Sequence, residues 1–127
     1  MAKAKKVTEL VLELNDEVGL LAKIADPISS SGVNIEAIFA YSEEGKAHFM
    51  IVTSDNDKAQ EVLKSKGISS KKEDAVSVLL ENKIGVAKEL SENLAKSGVN
   101  LTHCYGTVGS ADVASMILSS DNNDKII

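Results

Sequence analysis

The sequence predicts an α+β fold built from two βαββαβ repeats, the second truncated after its third strand. A shift of 66 lays residues 14–56 over residues 80–122 without a gap, giving 11 identities in 43 positions. Those identities fall on punctuation: Gly19 meets Gly85, the run Ser31, Gly32, Val33, Asn34 meets Ser97, Gly98, Val99, Asn100, and Ser54, Asp55, Asn56 meets Ser120, Asp121, Asn122. Met50 and Ile51 likewise meet Met116 and Ile117. Within each copy the apolar period changes from two to about 3.6 and back, as it does where strands and helices alternate.

In the first copy Leu10, Leu12 and Leu14 alternate with Glu9, Val11 and Glu13, placing three leucines on one face of a strand. Asn15 and Asp16 offer side-chain acceptors for a helix that starts near Gly19. Leu20, Leu21, Ile24 and Ile28 then form one apolar stripe. Pro27 lies inside that stripe and removes a backbone donor, so a kink or short break is expected there. Gly32 is placed to end the helix as a left-handed cap. Val33, Ile35, Ala37, Phe39 and Tyr41 alternate as a second strand. Residues 42–45 read as a hairpin turn, and residues 47–53 as a third strand. Asp55 caps a helix carrying Ala59, Val62 and Leu63, which Gly67 stops. Residues 68–72 are a short polar fourth strand. This order is the ferredoxin-like split βαβ unit.

The second copy runs through Val76, Val78 and Leu80, a helix with Val86, Leu90 and Leu94, and strands at residues 99–108 and 113–119. It stops one turn into its second helix. The expected repeats are residues 1–72 and residues 73–127. Without a fourth strand, the strand around Val76, Val78 and Leu80 would present an open edge, and the face of Val113 and Ile117 would lack cover. Open edges and apolar patches invite pairing, so a homodimer or larger homo-oligomer is expected.

Composition narrows the function classes. The net charge is −5, every basic residue is lysine, and the aromatic content is 3%. Nucleic-acid binding needs clustered cations, and RNA readout needs strand aromatics for stacking, so no nucleic-acid partner is expected. Cys104 stands alone, so neither an intrachain disulfide nor a multi-cysteine metal cluster can form. No stretch has the length of a signal peptide's apolar region or a membrane span, so a cytoplasmic protein with no membrane partner is expected.

Residues 15–21 (Asn, Asp, Glu, Val, Gly, Leu, Leu) followed by Ser31, Gly32, Val33, Asn34 and Ile35 resemble the ACT domain. Residues 81–86 (Glu, Asn, Lys, Ile, Gly, Val) with Gly98, Val99, Asn100 and Leu101 resemble it again. The resemblance covers residues 7–72 and 75–125, and identifies the chain as similar to a free-standing tandem ACT-domain protein. It implies amino-acid binding where paired modules meet, between the loop before the first helix of one and the second strand of its neighbour. The implied ligand contacts are Asp16, Gly19, Leu20, Asn34 and Ile35, with Asn82, Gly85, Val86, Asn100 and Leu101. In one respect the sequence departs from the family: Val18 and Ile84 stand where proline usually precedes the glycine, which implies a looser loop with the site retained.

The chemistry of these residues suits that role. A helix N-terminus holds a carboxylate without arginine, and glycine lets a ligand reach the backbone. An asparagine amide oxygen accepts from an α-ammonium, and Asp16 adds opposite charge. Bland roles stand beside these. Gly98, like Gly32, serves as a C-cap; Asn34 and Asn100 serve either as turn stabilisers or as ligand contacts; Asp16 and Asn82 are helix caps that can also touch ligand.

His48 lies opposite Phe49, while His103 shares a face with Leu101 and Tyr105; neither has metal-site company. His103 and Cys104 are adjacent in a strand, so their side chains diverge and form no nucleophile–base pair. No enzyme activity, cofactor or metal is expected. The leading reading is a regulatory, allosteric protein that senses an amino acid or similar small ligand and acts on a partner enzyme or regulator, such as an enzyme of amino-acid metabolism. The alternative is a structural or protein-interaction subunit with the same fold and no ligand.

Overall fold

The computed structural model describes residues 3–108, 113–120 and 122–126. The elements are β1 (Lys3–Asn15), α1 (Leu20–Ser30), β2 (Ile35–Glu43), β3 (Lys46–Thr53), α2 (Asn56–Ser65), β4 (Lys71–Glu81), α3 (Val86–Lys96), β5 (Leu101–Val108) and β6 (Val113–Ser120). A 3₁₀ turn at Asn123–Lys125 follows. The chain divides into two compact units, Thr8–Glu73 and Asp74–Ile127, and Met1–Val7 belongs with the latter.

In Thr8–Glu73, β3 lies between β1 and β2 and is antiparallel to both. Leu10, Leu12 and Leu14 of β1 stand opposite Ile51, Phe49 and Ala47. Against that face pack Ile24 and Ile28 of α1 and Ala59 and Leu63 of α2, all four fully buried. Complete burial of each isoleucine or leucine among them is worth about 1.5–3 kcal/mol. The hairpin turn is Glu44 and Gly45, both at positive φ, the two-residue geometry that matches strand twist. Asp55 caps α2 by accepting from the Lys58 N–H at 3.1 Å.

Several expectations for this unit are corrected. α1 runs through Pro27 without a break; the carbonyl that proline leaves unpaired is that of exposed Lys23, which water can satisfy. Asn15 and Asp16 do not cap α1. The Asn15 Oδ1 accepts from Lys46 Nζ at 2.8 Å, and the Asp16 N–H donates to the Gly45 carbonyl at 2.9 Å. A bulge between Ile35 and Ala37 interrupts the alternation of β2. Ile35 therefore joins the helix-side core, while Ala37, Phe39 and Tyr41 pair with Val52, Met50 and His48 on the other face. No separate fourth strand forms at residues 68–72: Ile68 is a buried core residue, and β4 runs unbroken from Lys71 to Glu81.

In Asp74–Ile127, β6 lies between β4 and β5 and is antiparallel to both. Val76, Val78 and Leu80 stand opposite Leu118, Met116 and Ala114, and α3 covers them with Leu94 and the half-buried Val86 and Leu90. These pairs overturn the gap-free alignment. Leu12 with Phe49 corresponds to Val78 with Met116, so β1 maps to β4 by 66 residues but β3 maps to β6 by 67. The extra residue lies between β5 and β6. Met116 thus takes the core position of Phe49, and Ile117 faces away from the helix, because a one-residue slip turns every side chain over.

The 67-residue offset exposes a feature that the shift of 66 conceals. Thr53 donates from its N–H (3.1 Å) and Oγ1 (2.6 Å) to Asn56 Oδ1, whose Nδ2 donates to the Thr8 carbonyl at 2.7 Å. Ser120 donates from its N–H to Asn123 Oδ1 at 2.8 Å, and Asn123 Nδ2 donates to the Asp74 carbonyl at 3.1 Å. The same latch ties the end of the third strand to the first in each unit. Asn122 is not its counterpart, and Asp121 lies outside the described residues.

The expected open edge is also corrected. β4 has β1 on the side away from β6, and it is the segment Met1–Val7 that belongs to this unit. Ala4 packs on its core, and Lys6 is ion-paired with Asp124, which holds the lysine above its ordinary pKa. Val76 and Val78 are accordingly buried to within 1%. The missing strand is replaced from the start of the chain, and gives no ground for self-association.

Candidate functional site

Each unit carries one loop that leads from its first strand into its first helix. Between β1 and α1 the Asp16–Gly45 and Asn15–Lys46 bonds pin the loop's start to the β2–β3 turn. Glu17 pairs with Lys23 at 3.2 Å across the helix start. Val18 is wholly exposed at the tip, and Gly19 follows as the N-cap at φ 83°. The loop before α3 repeats this: Ile84 is wholly exposed and Gly85 is the N-cap at φ 86°.

Neither glycine is there for space, because a Cβ built on either would meet nothing within 4 Å. The left-handed backbone itself selects glycine. Such an N-cap has no side-chain oxygen, and no side chain bonds the cap of α1 or α3. The first-turn N–H groups of α1, which a serine or aspartate would ordinarily engage, are left to an outside acceptor; in α3 the Val86 N–H donates to the Lys83 carbonyl at 3.4 Å, and the next N–H groups are left so. α1 has no acidic residue in its first turn, so its positive end is not neutralised there; α3 has Glu89.

The candidate residues divide into two groups. Asp16, Gly19, Asn82 and Gly85 sit on the loops. Leu20 opens α1 with its side chain buried to 6%, and Val86 packs on the second core, so their backbones alone face the loop side. Asn34 and Asn100 precede the second strands, while Ile35 and Leu101 turn into the cores. The Asn34 backbone is held by Ser54, whose Oγ accepts from its N–H and whose N–H donates to its carbonyl, both at 2.9 Å. The exposed Asn34 side chain therefore stabilises no turn among the described residues. Gly32 and Gly98 act as left-handed C-caps at φ 82° and 74°, with Val33 and Val99 donating to the Ile28 and Leu94 carbonyls.

One unit does not bring these groups together. Gly19 and Asn34 flank opposite ends of an 11-residue helix, about 16 Å long at 1.5 Å per residue. A single amino acid cannot span that distance.

The helix-free faces carry rings. Tyr41 stacks on His48 with centroids 4.8 Å apart, and His103 on Tyr105 at 6.2 Å. A bulge between Leu101 and His103 separates those two residues, so His103 shares its face with Tyr105 and not with Leu101. Cys104 pairs with Leu118, on the other face from His103. Among the described residues no group of three or more histidine, cysteine or acidic side chains is placed to hold a metal, and no helix is long and apolar enough to cross a membrane.

The described elements form a mixed α+β fold with two loop-presented, glycine-capped helix starts. Residues 8–65 match the ACT domain family. No curated protein sequence matches the chain. Among solved structures, a Bacteroides thetaiotaomicron protein is 22% identical with a TM-score of 0.89, the match covering 97% of this chain and 85% of that one. The ligand-free regulatory subunit of aspartate kinase from Thermus thermophilus is 14% identical with a TM-score of 0.68, covering 98% and 91%. Aspartokinase α and β subunits give 16% identity and a TM-score of 0.68, covering 93% and 86%. At these identities the likeness is one of fold. The ACT match supports a regulatory, ligand-binding role in general terms.

Proposed function

We propose that this chain is a regulatory protein that binds an amino acid or a closely similar metabolite, and that Asp74–Ile127 is a second ACT-like module beside that of Thr8–Glu73. The observation that carries this reading is the pair of uncapped helix starts at Gly19 and Gly85. The free N–H groups there take the ligand carboxylate, and the exposed amide of Asn34 or Asn100 takes its α-ammonium. Because Gly19 and Asn34 flank opposite ends of α1, the site is completed by a second chain, whose strand start meets the loop of the first. That geometry, in place of an open strand edge, is the ground for a homodimer. The output passes to a partner enzyme or regulator of amino-acid metabolism in the cytoplasm, a reading supported by the aspartate kinase regulatory subunits among the fold's neighbours. The chain itself turns over no substrate.

A thermal-shift panel of the twenty amino acids tests this. One of them, at 100 times its Kd, should add about 2.7 kcal/mol of stability. Asn34→Ala or Asn100→Ala should weaken its binding by about 1.5–3 kcal/mol, the worth of a hydrogen bond to a charged group. A panel without any stabilising member would favour the structural-subunit alternative.

A further inference from the structure

A second feature lies within Thr8–Glu73, away from Asn34. A cavity of about 270 Å³ is lined by Leu14, Asn15, Glu17, Leu20, Lys23, Lys66, Gly67 and Ile68, where the start of α1 meets the end of α2. It is near the low end of small-molecule pockets, about 300–1,000 Å³, which suits a ligand of few heavy atoms. Leu20 and Ile68, buried to 6% and 4%, and half-buried Leu14 give it an apolar floor.

Its polar groups are unequal. Glu17 and Lys23 neutralise each other at 3.2 Å. Lys66, the C-cap of α2, has no carboxylate partner among the described residues, so the rim carries one unmatched positive charge. The Asn15 Oδ1 is taken by Lys46 at 2.8 Å, which leaves its Nδ2 as a donor. The pocket thus offers a free cation and a free N–H donor, whereas the charge of its one carboxylate is offset by Lys23 at Oε1.

We propose that this pocket binds a small aliphatic carboxylate that carries no α-ammonium group. The carboxylate bonds Lys66 Nζ and Asn15 Nδ2, and the hydrocarbon chain lies on Leu14, Leu20 and Ile68. An α-ammonium would have to share the one Glu17 carboxylate with Lys23, beside the unmatched Lys66 cation that repels it. The site is complete within one chain and does not depend on the amino-acid reading above, although it shares the loop that carries Gly19. Occupation would bear on that loop through Asn15 and Leu20.

Isovalerate is the probe, titrated into the full chain while the methyl NMR signals of Leu14, Leu20 and Ile68 are followed. Saturable shifts of these methyls are expected, with none from isopentylamine, which has the same chain and no carboxylate. Lys66→Met should weaken the response at least tenfold, Lys66→Arg should retain it, and Asn34→Ala should leave it unchanged. Unmoved methyls, an equal response in Lys66→Met, or an equal response to the amine would overturn the proposal. Loss of an amino-acid response in Asn34→Ala with isovalerate binding intact separates the two sites; failure of isovalerate alone leaves the amino-acid reading standing.

Discussion

Thr8–Glu73 and Asp74–Ile127 share three strands, a glycine-capped helix and an asparagine latch, yet their cores differ. The first buries Ile24 and Ile28 completely because α2 lies beside α1 and contributes Ala59 and Leu63 to the same cluster. Among the described residues the second has a 3₁₀ turn, Asn123–Lys125, at the position of that helix, and of the α3 stripe only Leu94 is buried, to 8%. A helix stripe is buried only as far as neighbouring elements cover it, so Val86 and Leu90, with no second helix beside them among the described residues, stay half-buried. The missing strand has a different remedy. Lys3–Asn15 is long enough for its first residues to serve the second unit and the rest the first.

The sharpest way to test this contrast is to truncate the equivalent residues Ile28 and Leu94. Ile28→Ala should cost about 3–4 kcal/mol in urea denaturation, high in the core range, and Leu94→Ala about 2, because its surroundings are already open. Equal costs would mean that α2 does not seal the first core. The latches come next. Asn56→Ala should destabilise by about 2–3 kcal/mol, since buried Thr53 loses the acceptor for its N–H and Oγ1. Asn123→Ala, on a more exposed turn, should cost about 1 kcal/mol by the same assay. The most even effect should be at the glycines: Gly19→Ala and Gly85→Ala should each cost about 1–2 kcal/mol, the left-handed penalty alone. A markedly larger cost at one of them would show crowding there, contrary to the open space around both.

Much of this was legible in the sequence because it depends on local chemistry. The leucine alternation of β1, the stripe of α3 and that of α1 (except Leu21, which is 54% exposed), the Asp55 cap and the C-caps at Gly32 and Gly98 each follow from a few adjacent residues. What escaped depends on pairing. Matching Met50 and Ile51 to Met116 and Ile117 favoured a gap-free alignment, whereas strand register is set by which side chains face the core. The run from Asn56 to Lys58 recurring from Asn123 to Lys125 was the signal for an offset of 67. The bulges after Ile35 and Leu101 left no local mark, and the role of Lys3–Val7 could not be seen because its partner strand lies some seventy residues away. Of the candidate site, the glycines were legible. That the Asn15 Oδ1 accepts from Lys46 and the Asp16 N–H donates to Gly45, with neither residue capping α1, was not, since both partners lie about thirty residues along the chain.

The central claim is that the uncapped starts of α1 and α3 receive a ligand carboxylate. The direct measurement is the backbone amide NMR spectrum of the full chain, titrated with the amino acid that stabilises it most. The account predicts saturable downfield shifts of the Leu20, Leu21 and Ala22 or the Val86, Ala87 and Lys88 amides, at the affinity given by calorimetry, with the Asn34 or Asn100 side-chain amide moving alongside. Binding that leaves all six backbone amides where they stand would contradict it.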